Sequence, residues 1–299
     1  MIGFLILHYE TLEDTLKCIE SILALDQIKI PIHIVVVDNG SKDASYEALQ
    51  QRYTNDAMVT LLSTGKNLGF SAGNNYGYKN FPNREKLELL IVCNSDIIFH
   101  QKSFIRKALH LWKEVPFEIL GPDIYSYWCC FKVHQSPKRM NHYKITALTG
   151  ILKKWEEEYK ILSGELPNEH PAVRDCLKDR KPWWKQVLSW CKQSLNNHKK
   201  EQAFLQGSCL IFSKNYMERY RKLFDPEPFL YFEESFLFLR AQRDGLRICY
   251  NPRIKVIHNE QSSIKRMLSD DRRREIFRRE QLLKSGYMYL EQCKSGMSD

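Results

Sequence analysis

The sequence has no Cys-x-x-Cys pair, no internal repeat and no low-complexity linker. Those absences exclude zinc ribbons, thioredoxin-type redox motifs, solenoids and tandem arrays. No apolar run approaches the ~20 residues that cross a bilayer. The nine cysteines are odd in number and scattered, with Cys129 and Cys130 adjacent. That pattern suits reduced thiols in a cytoplasmic protein better than a disulfide framework. The first residues, Met1-Ile2-Gly3-Phe4-Leu5-Ile6-Leu7-His8, lack a basic leader and a small-residue cleavage site, so they are expected to form a first strand rather than a signal peptide. Neither a dinucleotide-binding Gly-x-Gly-x-x-Gly nor a P-loop Gly-Lys-Ser/Thr occurs.

What is present is an ordinary globular mix: 299 residues, 43% hydrophobic and 27% charged. That suffices for one large domain or two modest ones. The net charge of +9 suits an anionic partner, namely nucleic acid, an acidic membrane leaflet or a phosphorylated substrate. The first hundred residues alternate. Strands are expected at 2–7, 32–37, 58–62 and 87–93, with helices at 12–23, 44–53 and 103–113 between and after them. Runs such as Ile32–Val37, apolar but for His33, suit parallel strands covered on both faces. The order βαβαβ implies a doubly wound, mostly parallel sheet. Thr11 is expected to cap the first helix with Asp14. From 125 to 203 the pattern is irregular and basic. Order returns in a strand over 206–212, a helix from Glu233 to Arg243, and two short strands at 246–250 and 254–257 split by Asn251-Pro252. A charged helical tail follows from 264.

Four polar stations stand where strands end, the edge at which open α/β sheets bind ligands. The first is Asp38-Asn39-Gly40-Ser41, whose Asp can accept from a base N–H or simply build an Asx turn. The second, Asn67-Leu68-Gly69-Phe70-Ser71-Ala72-Gly73-Asn74-Asn75, offers close backbone approach and amide hydrogen bonds, and reads equally as a polar helix start. The third, Asn94-Ser95-Asp96, places a carboxylate where Mg²⁺ or Mn²⁺ could be shared with a diphosphate. The fourth is Phe232-Glu233-Glu234. Either Glu could be a general base with a raised pKa, or both could serve the helix dipole. His258, after a final strand, is a structural histidine or a further metal ligand.

In this joint order the stations, with Ile6-Leu7-His8-Tyr9-Glu10, Gln206-Gly207-Ser208, Phe229-Leu230-Tyr231 and Gly245, resemble family 2 glycosyltransferases of the inverting GT-A type. The similar subgroup is the rhamnosyltransferase-like enzymes of bacterial O-antigen and capsule assembly. The resemblance implies a GT-A fold (a Rossmann-like, mostly parallel α/β sheet) with residues 1–120 as the nucleotide-sugar half. It implies an acceptor half over 121–263, carrying a basic Trp-bearing insertion at about 150–203, and a helical tail over 264–299. It implies that Tyr9 and Asp38 contact the donor base, and that Asn67, Gly69, Asn74, Asn75, Asn94 and Gly207 line the donor site. Asp96 and His258 would hold Mg²⁺ or Mn²⁺. Glu234, or its neighbour Glu233, would be the base. Asn94 stands where the metal motif has its first Asp, Glu234 where the base is usually Asp, and Ser235-Phe236 where a second acidic pair is often found. The implied donor is a UDP- or dTDP-sugar. The implied acceptor is a glycan, typically one carried on a polyprenyl diphosphate.

The segment with Trp183, Trp184 and Trp190 repeats Trp184, Val187, Leu188, Cys191 and Leu195 at helical spacing among lysines. Such a helix either packs on the catalytic domain or lies peripherally on an anionic membrane. Nucleic acid is not expected: the basic residues are spread, and no zinc-finger or RNA-recognition motif occurs. A nucleotidyltransferase would need an early basic phosphate loop, where this chain has His8-Tyr9-Glu10-Thr11. A glycosyltransferase-like protein that binds its nucleotide sugar without transfer remains the other reading.

Overall fold

The computed structural model describes residues 1–26, 29–126, 132–133, 145–166, 200–201, 203–259 and 270–295. The strands are β1 (Ile2–His8), β2 (Ile32–Asp38), β3 (Val59–Ser63), β4 (Leu89–Asn94), β5 (Ile97–Ile98), β6 (Ile119–Ser126), β7 (Lys132–Val133), β8 (Lys200–Glu201), β9 (Cys209–Ser213) and β10 (Ile248–His258). The helices are α1 (Leu12–Leu23), α2 (Ser45–Tyr53), α3 (Gly69–Lys79), α4 (Phe104–Glu114), α5 (Ile145–Ser163), α6 (Lys214–Arg219), α7 (Glu233–Asp244) and α8 (Asp271–Ser295).

One sheet runs through these residues in the order β3-β2-β1-β4-β9-β6-β10-β5, with β7 on β6 and β8 on β10. The strands from β3 to β4 are parallel, β9 runs against both β4 and β6, and β6 and β10 are parallel again. Continuous apolar runs follow from burial on both faces. Alternate side chains on a strand point to opposite sides. Ile2, Phe4, Ile6, Val36, Ile91 and Cys93 join one core with α1 and α4. Leu5, Val35, Val37, Leu90, Val92 and Phe212 join the other, with α7. A third, smaller cluster (Leu148, Leu152, Phe236, Tyr289, Leu290) ties α5 and α8 to α7.

Several sequence expectations are corrected. Thr11 precedes α1 but makes no side-chain cap. Its hydroxyl meets that of Ser95 at 2.9 Å, so it links two strand ends instead. The two strands expected around Asn251-Pro252 are one, β10, which passes the proline by a register shift between Asn251 and Lys255. Its N–H-less residue sits at the irregularity, where a ladder tolerates it. The strand expected to begin at Gln206 begins at Cys209. The stretch expected to be irregular, 125–203, contains the 19-residue helix α5, and strand β6, for which no element was expected, runs up to its start. The segment expected to be helical over Trp184–Leu195 lies outside the described residues. Among the described residues no helix is long and apolar enough to cross a membrane.

Candidate active site

The carboxyl ends of β1, β2 and β4 lie side by side, because His8 pairs with Asp38 and Leu7 with Asn94. His8 is fully buried. Its ring nitrogens meet the Thr15 hydroxyl at 2.7 Å and the Ser45 hydroxyl at 2.8 Å. Burial pulls its pKa down to about 4, against the pull of Asp38 and Asp43, so it is a neutral brace at neutral pH. Asp38 is also buried. One oxygen accepts from the Ser41 N–H (3.1 Å), the other from the Ser63 hydroxyl (3.1 Å). The carboxylate thus spans the turn to the N–H three residues on, one further than an Asx turn, and is fixed at the sheet edge.

Asn39, not singled out from the sequence, joins the first two stations. Its amide donates to Asn67 Oδ1 (3.1 Å) and the Gly69 carbonyl (3.2 Å) and accepts from the Leu68 N–H (3.0 Å). Asn67 Oδ1 also receives the Gly69 N–H at 2.9 Å. Tyr9 is half-buried against this loop. Burial and the Glu10 charge push its phenol above the usual range, while a hydrogen bond with Asn67 opposes them. Tyr9, Asp38, Asn67 and Gly69 are thus brought together.

Gly69 has φ +80°, and a Cβ there would lie 2.4 Å from the Phe229 carbonyl oxygen. Only glycine allows both the left-handed backbone and this approach. The adjacent Phe70 N–H donates to that same carbonyl at 2.7 Å. Asn74 and Asn75 are placed differently from each other. Asn74 is fully buried in α3, its amide donating to the Phe70 carbonyl (2.9 Å) and its Oδ1 without a partner among the described residues. Asn75 has both ends of its amide engaged by the 223–227 loop: it accepts from the Leu223 and Phe224 N–H groups and donates to the Phe224 carbonyl and Glu227. That is the work of a brace between α3 and the loop before the Glu pair.

Asp96 and His258 meet at the far side of the edge. Nε2 of His258 is 3.1 Å from Oδ1 of Asp96, and both side chains are about one-tenth exposed. The antiparallel pairing of β5 with β10 sets Ile97 opposite His258, and the Asn259 N–H bonds the Asp96 carbonyl. Two ligands on neighbouring corners of an octahedron with bonds of ~2.1 Å are separated by about 3.0 Å. The observed gap fits that spacing. Among the described residues no group of three or more His, Cys, Asp or Glu side chains could hold a metal ion. Two side chains by themselves could hold only a cation that took its other ligands from phosphate and water; otherwise the contact is an ordinary His–Asp pair.

The fourth station closes the arrangement. The Asn94 N–H bonds the Ser208 carbonyl at 2.9 Å, which draws the Gly207 loop to the end of β4. The Gly207 N–H in turn donates to Glu234 Oε1 at 2.8 Å. A Cβ on residue 207 would fall 2.9 Å from that oxygen, so a larger residue would push the Glu234 carboxylate aside. Glu233 is nearly sealed, whereas Glu234 keeps partial exposure. Burial raises both carboxyls. For Glu233 the shift is large and the Glu234 charge adds to it; for Glu234 the Gly207 N–H partly opposes it. The pair holds a proton to a higher pH than ordinary glutamates do.

The backbone that delivers these carboxylates is strained. Tyr231 and Phe232, neither of them glycine, both have φ +69°. Such residues cost ~1–3 kcal/mol each and persist where the surroundings over-determine them. Phe232 is the residue at the start of α7, so the left-handed turn sets the direction in which Glu233 and Glu234 leave.

The architecture has known counterparts. The crystal structure of S. aureus TarS residues 1–349 superposes with a TM-score of 0.53 and 13% identity, covering 86% of this chain and 60% of that one. A second TarS 1–349 structure, in complex with UDP-GlcNAc, overlaps 48% of this chain and 38% of that one, with 17% identity and a TM-score of 0.37. The first likeness shows the fold, a GT-A-type mixed sheet; the chain spans about 60% of the length of that TarS structure. No curated protein matches the sequence. The family described as Glycosyl transferase family 2 matches residues 4–221, well over half of the sequence, and the chain belongs to that family.

Proposed function

We propose that this site transfers a sugar from a nucleotide diphosphate to a hydroxyl of a glycan acceptor, with inversion at the anomeric carbon. The observation that carries the reading is the convergence, on one sheet edge of a family 2 chain, of the Asp96–His258 pair with the Glu234 carboxylate held at Gly207. The base of a UDP- or dTDP-linked donor stacks beside Tyr9 and hydrogen-bonds Asp38, with Asn67 and Gly69 shaping that end of the pocket. Asn94 and Gly207 flank the sugar. Asp96 and His258 hold Mg²⁺ or Mn²⁺, whose charge offsets that of the departing diphosphate.

Glu234 is the base, because it alone of the pair is both partly exposed and tied to the donor-side loop. It takes the proton from an acceptor hydroxyl as that oxygen bonds to the anomeric carbon. The bond to the diphosphate oxygen breaks, and nucleoside diphosphate leaves. Glu233 is the more deeply buried of the two, and its burial and the Glu234 charge push its carboxyl well above the ordinary range, so the pair resists carrying two negative charges. The raised carboxyl predicts that kcat climbs with pH through a limb above the ordinary glutamate range.

The finer identity follows the subgroup that the motifs resemble: a rhamnosyltransferase-like enzyme of O-antigen or capsule assembly, with a polyprenyl-diphosphate-linked acceptor. Peripheral contact with an anionic membrane through the basic tryptophan-bearing segment accords with that acceptor. The test is nucleoside diphosphate release from UDP-glucose, UDP-N-acetylglucosamine and dTDP-rhamnose with Mn²⁺, compared with Glu234→Gln. Turnover should fall about 10²-fold or more while donor binding persists. Undiminished turnover in that variant rejects Glu234 as base, and a dead Glu233→Gln beside it transfers the role to the neighbour.

A further inference from the structure

The turn that aims the glutamates is gripped from two sides, and one grip comes from the C-terminal helix. On the donor side, the Phe229 carbonyl takes the Phe70 N–H. On the other, the Ser285 hydroxyl of α8, itself buried, donates to the Leu230 carbonyl at 2.7 Å. One residue on, Gly286 lies so close to α5 that a Cβ would meet Leu152 at 2.5 Å and the Phe232 ring at 3.4 Å. The Phe232 ring therefore has a seat, closed on its other sides by Trp155 (6.3 Å between ring centroids) and Tyr289 (5.6 Å). Phe277 packs edge-on against Phe229, and Arg278 reaches Tyr231. Every residue of the 229–232 turn has a partner on α8.

We propose that Ser285 and Gly286 are positioning residues for the Glu233/Glu234 pair: by seating Leu230 and Phe232 they hold the left-handed turn that points Glu234 at Gly207. This deepens the reading of the site as a transferase and rests on it. Neither residue touches the reacting atoms. Their role is to fix a strained backbone that, released, would relax to ordinary φ values and carry Glu234 away from its N–H partner. Because the Phe70–Phe229 contact grips the same turn, the donor loop and the C-terminal helix share control of it.

The experiment uses Ser285→Ala and Ser285→Thr in the full chain. Nucleoside diphosphate release from the nucleotide sugars named above is measured against pH. UDP affinity is measured by calorimetry, and amide hydrogen exchange is followed over residues 229–236. Ser285→Ala should lower kcat about 10-fold with UDP affinity unchanged. Exchange over 229–236 should quicken, and the acid limb of the kcat profile should move to lower pH as water reaches the carboxylates. Ser285→Thr, which keeps the hydroxyl, should restore all three. Should Ser285→Ala fail to fold, Phe277→Leu, which loosens the contact with Phe229, is read the same way. A lowered melting temperature with unchanged exchange, kcat and pH profile overturns the positioning role. If the unaltered chain releases nothing from any of the sugars, it is the transferase reading that falls, and exchange over 229–236 still decides whether α8 holds the turn.

Discussion

The carboxyl edge of the sheet and the α5/α8 helix pair hold their shapes by different means. At the edge, fixed backbone does the holding. Asp38 is held by the Ser41 N–H and the Ser63 hydroxyl, Asn39 and Asn67 by each other and by main-chain groups, and His8 sits neutral between two hydroxyls. The helix pair is held by interlocking rings and aliphatic side chains, with ion pairs such as Lys284–Glu280 on its outer surface. One region tolerates no change of polar group, the other no change of volume. The proposed transfer needs both, since in that reading the edge would place the donor and the helices the glutamates.

Breaking each side should give distinct signatures. The largest effect is expected at Asp96. Asp96→Asn removes the charge opposite His258 and should cut metal-dependent turnover about 10³-fold, equivalent to about 4 kcal/mol, with little change in the urea midpoint. On the helical side Leu152→Ala should cost about 3 kcal/mol of stability by urea unfolding, since the fully buried leucine leaves a cavity against Gly286 and α8. His8 sharpens the contrast through pH. Its folded pKa lies below the unfolded value, so the unfolded chain binds the extra proton between pH 6.5 and about 4. Stability should therefore be full above pH 6.5 and fall by up to about 3 kcal/mol as the pH drops through that window. Urea midpoints of His8→Asn, lower at pH 7 but flatter toward pH 5 than those of the unaltered chain, would show it. The smallest effect is expected for Lys284→Ala, where an exposed pair should be worth no more than about 0.5 kcal/mol. A larger loss there would mean that the outer face of α8 is not simply solvated.

The same division separates what could be read from the sequence. The parallel strands and their terminal Asp, Asn and Gly residues were legible because burial on both faces writes itself as unbroken Val, Ile and Leu runs with abrupt polar ends. Asp96 and His258 were expected together and are together. Asn39 was passed over because its partners, Asn67 to Gly69, lie beyond the next strand and helix. Asn75 was expected at the donor, yet its amide is taken up by the 223–227 loop, a partnership with no local pattern. Strand β6 was missed because Gly121-Pro122 mimics a turn, and β10 was split for the same reason at Asn251-Pro252. Both strands keep their proline because the two irregular stretches face each other in the ladder. The helix α5 was lost in a basic background whose polar residues obscured its apolar face.

The Phe70–Phe229 contact has a practical corollary. Transplanting the loop that follows β3 from one relative into another would carry along one half of a peptide-to-peptide junction and leave the other half behind. Chimeras of this chain should therefore be cut so that residues 67–70 and 229–232 travel as a matched set, with Gly69 retained at the seam.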